Sequence, residues 1–79
     1  MTKEQLPVAP GVSHVAAFQR AGWKCARIRG SHQILTKEGH EATLSVPCHK
    51  GKDVKRGLLR SLIRAAGMSV EEYIQHFYA

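Results

Sequence analysis

Apolar positions change period twice along the chain. Val12, Val15 and Phe18 recur three residues apart with Ala16, Ala17 and Ala21 around them. This predicts a short helix ended by Gly22, a residue type suited to the position just past a helix. From Trp23 the period falls to two, with Trp23 and Cys25 alternating against Lys24 and Ala26. Residues 23–28 therefore read as a strand, broken by Gly30-Ser31. Residues 32–36, with Ile34 and Leu35, form a second. Lys37-Glu38-Gly39-His40 is a hairpin turn around a glycine, and residues 41–46 form a third strand with Ala42, Leu44 and Val46 on one face. Pro47 stops it.

The strongest helical pattern follows a basic loop over residues 48–53. Leu58, Leu59, Leu62, Ile63 and Ala66 occupy one face of a helix that Gly67 closes, and Arg56, Arg60 and Arg64 form a separate stripe beside it. Ser69-Val70-Glu71-Glu72 matches a capping box, and Val70, Tyr73, Ile74 and Phe77 give a last helix its buried side. Residues 1–10, with Pro7 and Pro10, read as a flexible tail. Residues 11–79 then form one domain ordered α-β-β-β-α with a further C-terminal helix. The matching architecture is α+β, a three-stranded antiparallel sheet with helices on one face.

Seventy-nine residues leave room for only one core. A hydrophobic fraction of 43% is too high for a disordered basic tail. The net charge of +6 is unevenly placed. From Arg20 to Arg64 there are eleven bases against Glu38, Glu41 and Asp53, a net +8, whereas the flanks are net negative. Such a concentration suits a phosphate-bearing partner. Two cysteines, Cys25 and Cys48, make no disulfide framework. No apolar leader or membrane-length run is present, so a reducing cytoplasm is the expected compartment.

Arg27-Ile28-Arg29-Gly30-Ser31-His32 carries the clearest chemical signal. A histidine after a Gly-Ser turn, beside two arginines, can transfer a proton near neutral pH. RNA brings its own nucleophile, the 2′-hydroxyl, so one base with cations on the phosphate suffices for strand cleavage. His49, after the third strand, is a second proton-transfer group, a phosphate contact or a solvated loop residue. Lys50, Lys52 and Lys55 are phosphate contacts by charge and position. His14, His40 and His76 have no companion features and read as surface residues. Cys25, His32, Cys48 and His49 lack paired metal-ligand spacing, so no metal or cofactor is expected. The last two helices are spaced as a helix-turn-helix, but Glu71 and Glu72 put carboxylates where phosphates would lie.

Taken in order, Gly11, Gly22-Trp23, Arg29-Gly30-Ser31-His32, Ile34-Leu35, Val46-Pro47, His49, Gly51-Lys52, Lys55, Gly57, Leu59-Arg60-Ser61, Ala66-Gly67 and Ser69-Val70-Glu71-Glu72 resemble a known pattern. It is that of the HicA-type toxins, the mRNA-cleaving partners of HicA–HicB toxin–antitoxin pairs. The resemblance covers about residues 11–78. It implies a double-stranded-RNA-binding-domain-like fold and metal-independent ribonuclease activity with His32 as the catalytic residue. It also implies neutralisation by a HicB-type antitoxin covering the site. Many relatives carry a second histidine after the first, where this chain has Gln33. The RNA contacts expected are Arg27, Arg29, Gly30, Ser31, His49, Lys50, Lys52 and Lys55. An RNA-binding module without catalysis would explain the charge and architecture equally well.

Overall fold

The computed structural model describes residues 5–79. Its elements are α1 (Gly11–Arg20), β1 (Lys24–Arg29), β2 (His32–Thr36), β3 (Leu44–Pro47), α2 (Arg56–Ala65) and α3 (Val70–Phe77). The strands form one antiparallel sheet in the order β1-β2-β3. This is the α+β arrangement, α-β-β-β-α plus a last helix, that the periodicities predict.

Residues opposite each other in an antiparallel ladder share a face of the sheet. Leu35 pairs with Leu44 and Gln33 with Val46. Leu35, Leu44 and Val46 join Val15, Phe18, Trp23, Leu59, Leu62, Ile63 and Tyr73 in the main core, so this face lies under the helices. Ile34 pairs with Ser45 and His32 with Pro47 on the opposite face.

A bulge at Ala26 decides where the arginines of β1 go. Cys25 pairs with Leu35, but Arg27, not Ala26, pairs with Ile34, and Arg29 with His32. Strict alternation from Trp23 and Cys25 would send Arg27 and Arg29 into the core. The extra residue shifts the register by one and places both on the face of His32.

The third strand is shorter than its alternation suggests. Residues 41–43 lie outside it, and Ala42 is exposed. The turn at Lys37 forms, with the His40 amide donating to the Lys37 carbonyl at 3.0 Å. The His40 ring then packs edge-on against Trp23 at 5.3 Å, and the chain rejoins the ladder at Leu44.

The expected tail is described only from residue 5; residues 1–4 lie outside the described part. Among residues 5–10, Leu6 is 4% exposed and belongs to the core, and Ala9 is buried. The Val54 amide donates to the Ala9 carbonyl at 3.0 Å and Pro10 bridges to Asp53, which straps this segment to the loop before α2.

α3 packs on α1, and here one expectation is corrected. His14 is not a surface residue: it is 0% exposed. Its Nδ1 lies 2.5 Å from the Tyr73 hydroxyl, and its ring stacks near Tyr73 and Phe77. Val12 is 56% exposed, so the inward face of α1 is set by Val15 and Phe18; His14, four residues before Phe18, lies on that face, and Tyr73 supplies the polar partner that burial demands. Arg20 closes the same interface, donating through its guanidinium to the His76 and Phe77 carbonyls at the end of α3. The capping box at Ser69 and Glu72 forms as expected.

Burial holds the His14 imidazole below its ordinary value near 6.5, opposed by the Ala9 backbone and then by the Asp53 charge. The folded chain therefore favours neutral His14, while the unfolded chain takes up a proton near 6.5. Stability from this pair is complete above that pH and is lost as pH falls below it. The melting temperature should drop between pH 7.5 and 5.5. His14→Phe, which removes the titrating group, should flatten that drop; an unchanged drop would assign it to other groups.

Candidate active site

Arg29 and His32 are direct cross-strand neighbours joined by the two-residue turn Gly30-Ser31. Gly30 has φ +59° and Ser31 is not left-handed, the pattern of a type II′ turn with glycine at the first central position. Glycine is needed there because a side chain would be strained in that conformation. The turn fixes His32 at the first position of β2, half-exposed at the end of the sheet.

β3 ends at Pro47, opposite His32, and its exit loop folds back onto the turn. The Cys48 amide donates to the Ser31 carbonyl at 2.7 Å. Ser31 Oγ lies 3.0 Å from His49 Nε2. The His32 and His49 rings meet edge to face with centroids 6.0 Å apart. Two imidazoles, a serine hydroxyl and the Arg29 cation are thus gathered at one end of the sheet, with Arg27 two residues along on the same face. Cys48 faces inward, and burial pushes its thiol up, away from reactivity. Both cysteines are free thiols.

α1 fixes the exit loop by close approach. A Cβ on Gly11 would fall 2.0 Å from the Pro47 carbonyl oxygen and 2.9 Å from Cys48 Cα. Only glycine lets the start of α1 lie against the backbone that presents His49.

The structure brings together Arg27, Arg29, Gly30, Ser31, His32 and His49. Lys50, Lys52 and Lys55 are exposed in the loop beyond His49. His49 lines two small cavities, one of about 270 Å³ with Gly11, Lys50 and Gly51, the other of about 250 Å³ with Lys52 and Lys55. Two other bases serve the fold: Arg20 at the end of α3, and Lys37, whose ammonium donates to the Ala21 carbonyl at 3.0 Å. Among the described residues no cluster of three or more His, Cys, Asp or Glu side chains is arranged to hold a metal ion.

A family model, HicA toxin of bacterial toxin-antitoxin, matches residues 14–68, more than half of the 79. The chain belongs to the HicA toxin family. It is the toxin of a toxin–antitoxin system, and its partner is an antitoxin. No curated protein matches the chain. The HicA match takes in the Gly-Ser-His turn, Pro47, His49 and all of α2, and ends before α3. Among the described residues of this HicA toxin, no helix is long and apolar enough to cross a membrane.

Proposed function

We propose that this toxin is a metal-independent endoribonuclease that cleaves mRNA in the cytoplasm and so inhibits translation and growth, with His32 as its catalytic residue. The observation that carries the reading is the pair of imidazoles, His32 and His49, 6.0 Å apart on a basic face. Two imidazoles so close can both reach one phosphodiester lying across them. A neutral imidazole takes the 2′-hydroxyl proton as the O2′–P bond forms. The P–O5′ bond breaks, and a protonated imidazole gives its proton to O5′. The products are a 2′,3′-cyclic phosphate and a 5′-hydroxyl, with no net change in protons. His32 makes one transfer, and His49, oriented by Ser31, makes the other. Arg27 and Arg29 neutralise charge gathering on the phosphate, while Lys50, Lys52 and Lys55 hold the strand. A HicB-type antitoxin neutralises the toxin by covering this site; a basic surface of this kind favours an acidic cover.

The test is incubation of the purified chain with RNA in EDTA. Cleavage should persist, with a bell-shaped pH dependence that reduces to a single inflection in His49→Ala. Loss of cleavage in EDTA would overturn the metal-independent mechanism. RNA binding with no cleavage at any pH would make the chain a binding module instead.

A further inference from the structure

We infer that the 250 Å³ cavity beside His49 is a subsite for one nucleobase of the RNA strand. Asp53 at its rim selects a base whose edge carries an exocyclic amino group. This rests on the reading of the chain as an RNA-cleaving toxin and adds to it a determinant of sequence preference.

The cavity shares Pro47 and His49 with the candidate active site, so whatever fills it lies next to the reacting phosphate. Its volume is below the roughly 300–1,000 Å³ of drug-sized ligand sites and suits one flat ring. Pro47, Val54 and Leu58 supply apolar walls. Leu58 is 41% exposed, while α2 buries Leu59, Leu62 and Ile63 instead. The core has little use for Leu58, yet it lines this cavity together with the cations Lys52 and Lys55. An apolar wall flanked by cations is what a base and its phosphate require together.

Stacking on such walls tolerates every base, so selectivity must come from the edge. Lys52 and Lys55 donate to phosphate or carbonyl oxygens. Asp53 differs: it is the only acid between Glu41 and Glu71. An ionised carboxylate accepts hydrogen bonds and cannot donate. It repels phosphate, and in this setting its favourable partner is an amino group on a base edge. Its backbone is held at the cavity, because Asp53 bridges to Pro10 and the next amide bonds to Ala9.

Cytosine and uracil test this cleanly, since both are single pyrimidine rings and differ chiefly at the amino or oxo group and the adjacent ring nitrogen. The His32→Ala chain, which should bind without cutting, is titrated with fluorescein-labelled hexacytidylate and hexauridylate. Hexacytidylate should bind about tenfold more tightly. Adding Asp53→Asn should bring the ratio to within about twofold, because an amide can donate as well as accept. Leu58→Ala should weaken both hexamers severalfold. Equal affinities before substitution, or a ratio that Asp53→Asn leaves in place, would overturn the inference. So would a cavity whose substitutions leave both hexamers alone and weaken only the hold of the antitoxin. Failure of the wild-type chain to cleave RNA strikes the ribonuclease reading instead. A cytosine preference lost in Asp53→Asn would then still establish the base subsite, and absence of binding to either hexamer would remove both.

Discussion

His32→Ala should lower RNA cleavage about 10²- to 10⁴-fold, the usual contribution of a positioned proton-transfer group, and should abolish growth arrest when the toxin is expressed without its antitoxin. The fold should survive. His32 lies half-exposed at the first position of β2, on the face away from the helices, and belongs to no part of the main core. Surface substitutions of that kind usually change stability by no more than about 0.5 kcal/mol. Circular dichroism and melting should match the parent, and RNA binding should fall little, because Arg27, Arg29 and the loop lysines remain. A variant that still cleaves at the parental rate would remove His32 from the chemistry. One that fails to fold would show that the turn, not the imidazole, is what the position supplies.

Gly11→Ala should be the most damaging single methyl in the molecule. Gly11 opens α1, and helix propensity alone predicts a gain of up to about 1 kcal/mol from alanine. The added carbon would meet the Pro47 carbonyl oxygen at 2.0 Å, the Pro47 carbonyl carbon at 2.8 Å and Cys48 Cα at 2.9 Å. All three are backbone atoms, so no side chain can swing aside. Overpacking costs of about 1–3 kcal/mol or more outweigh the propensity. For a chain of this length the whole stability is about 4–12 kcal/mol. Urea titration should show a net loss of about 2 kcal/mol, the upper overpacking cost less the propensity gain. The strain falls on the segment that carries His49, so cleavage measured well below the new melting temperature should fall as well. A Gly11→Ala chain as stable as the parent would mean that α1 does not press on the β3 exit.

The element order was legible from residues 11 to 79 because each switch of period carries its own punctuation: Gly22 before β1, Gly30-Ser31 before β2, Pro47 at the end of β3, Gly67 and the Ser69 capping box before α3. The place of His32 in the fold was legible too, since the Gly-Ser turn leaves the next residue at a strand end. What alternation could not give is the bulge. Nothing in Lys24-Cys25-Ala26-Arg27 announces that Ala26 is the extra residue; only the pairing with β2 does, and that pairing decides whether two arginines face the core or the site. His14 was misread because its partner, Tyr73, lies 59 positions away. A buried hydrogen bond of that range leaves no local pattern, although the position of His14 beside Phe18 on a helical wheel was a usable hint. Contact between His49 and Ser31 was equally invisible, because it depends on the β3 exit loop folding back. Charge counting could not separate Arg20 and Lys37, which hold helix ends, from the bases left on the open surface.

The central claim is that two histidines transfer protons for attack by the 2′-hydroxyl of RNA. Mass spectrometry of the fragments made from a defined RNA by the purified toxin in EDTA tests it most directly. The account predicts fragments ending in a 2′,3′-cyclic phosphate, partners beginning with a 5′-hydroxyl, and no cut where a 2′-deoxynucleotide replaces the residue before the scissile bond. Fragments with 3′-hydroxyl and 5′-phosphate ends, or cutting that tolerates the 2′-deoxy substitution, would contradict it.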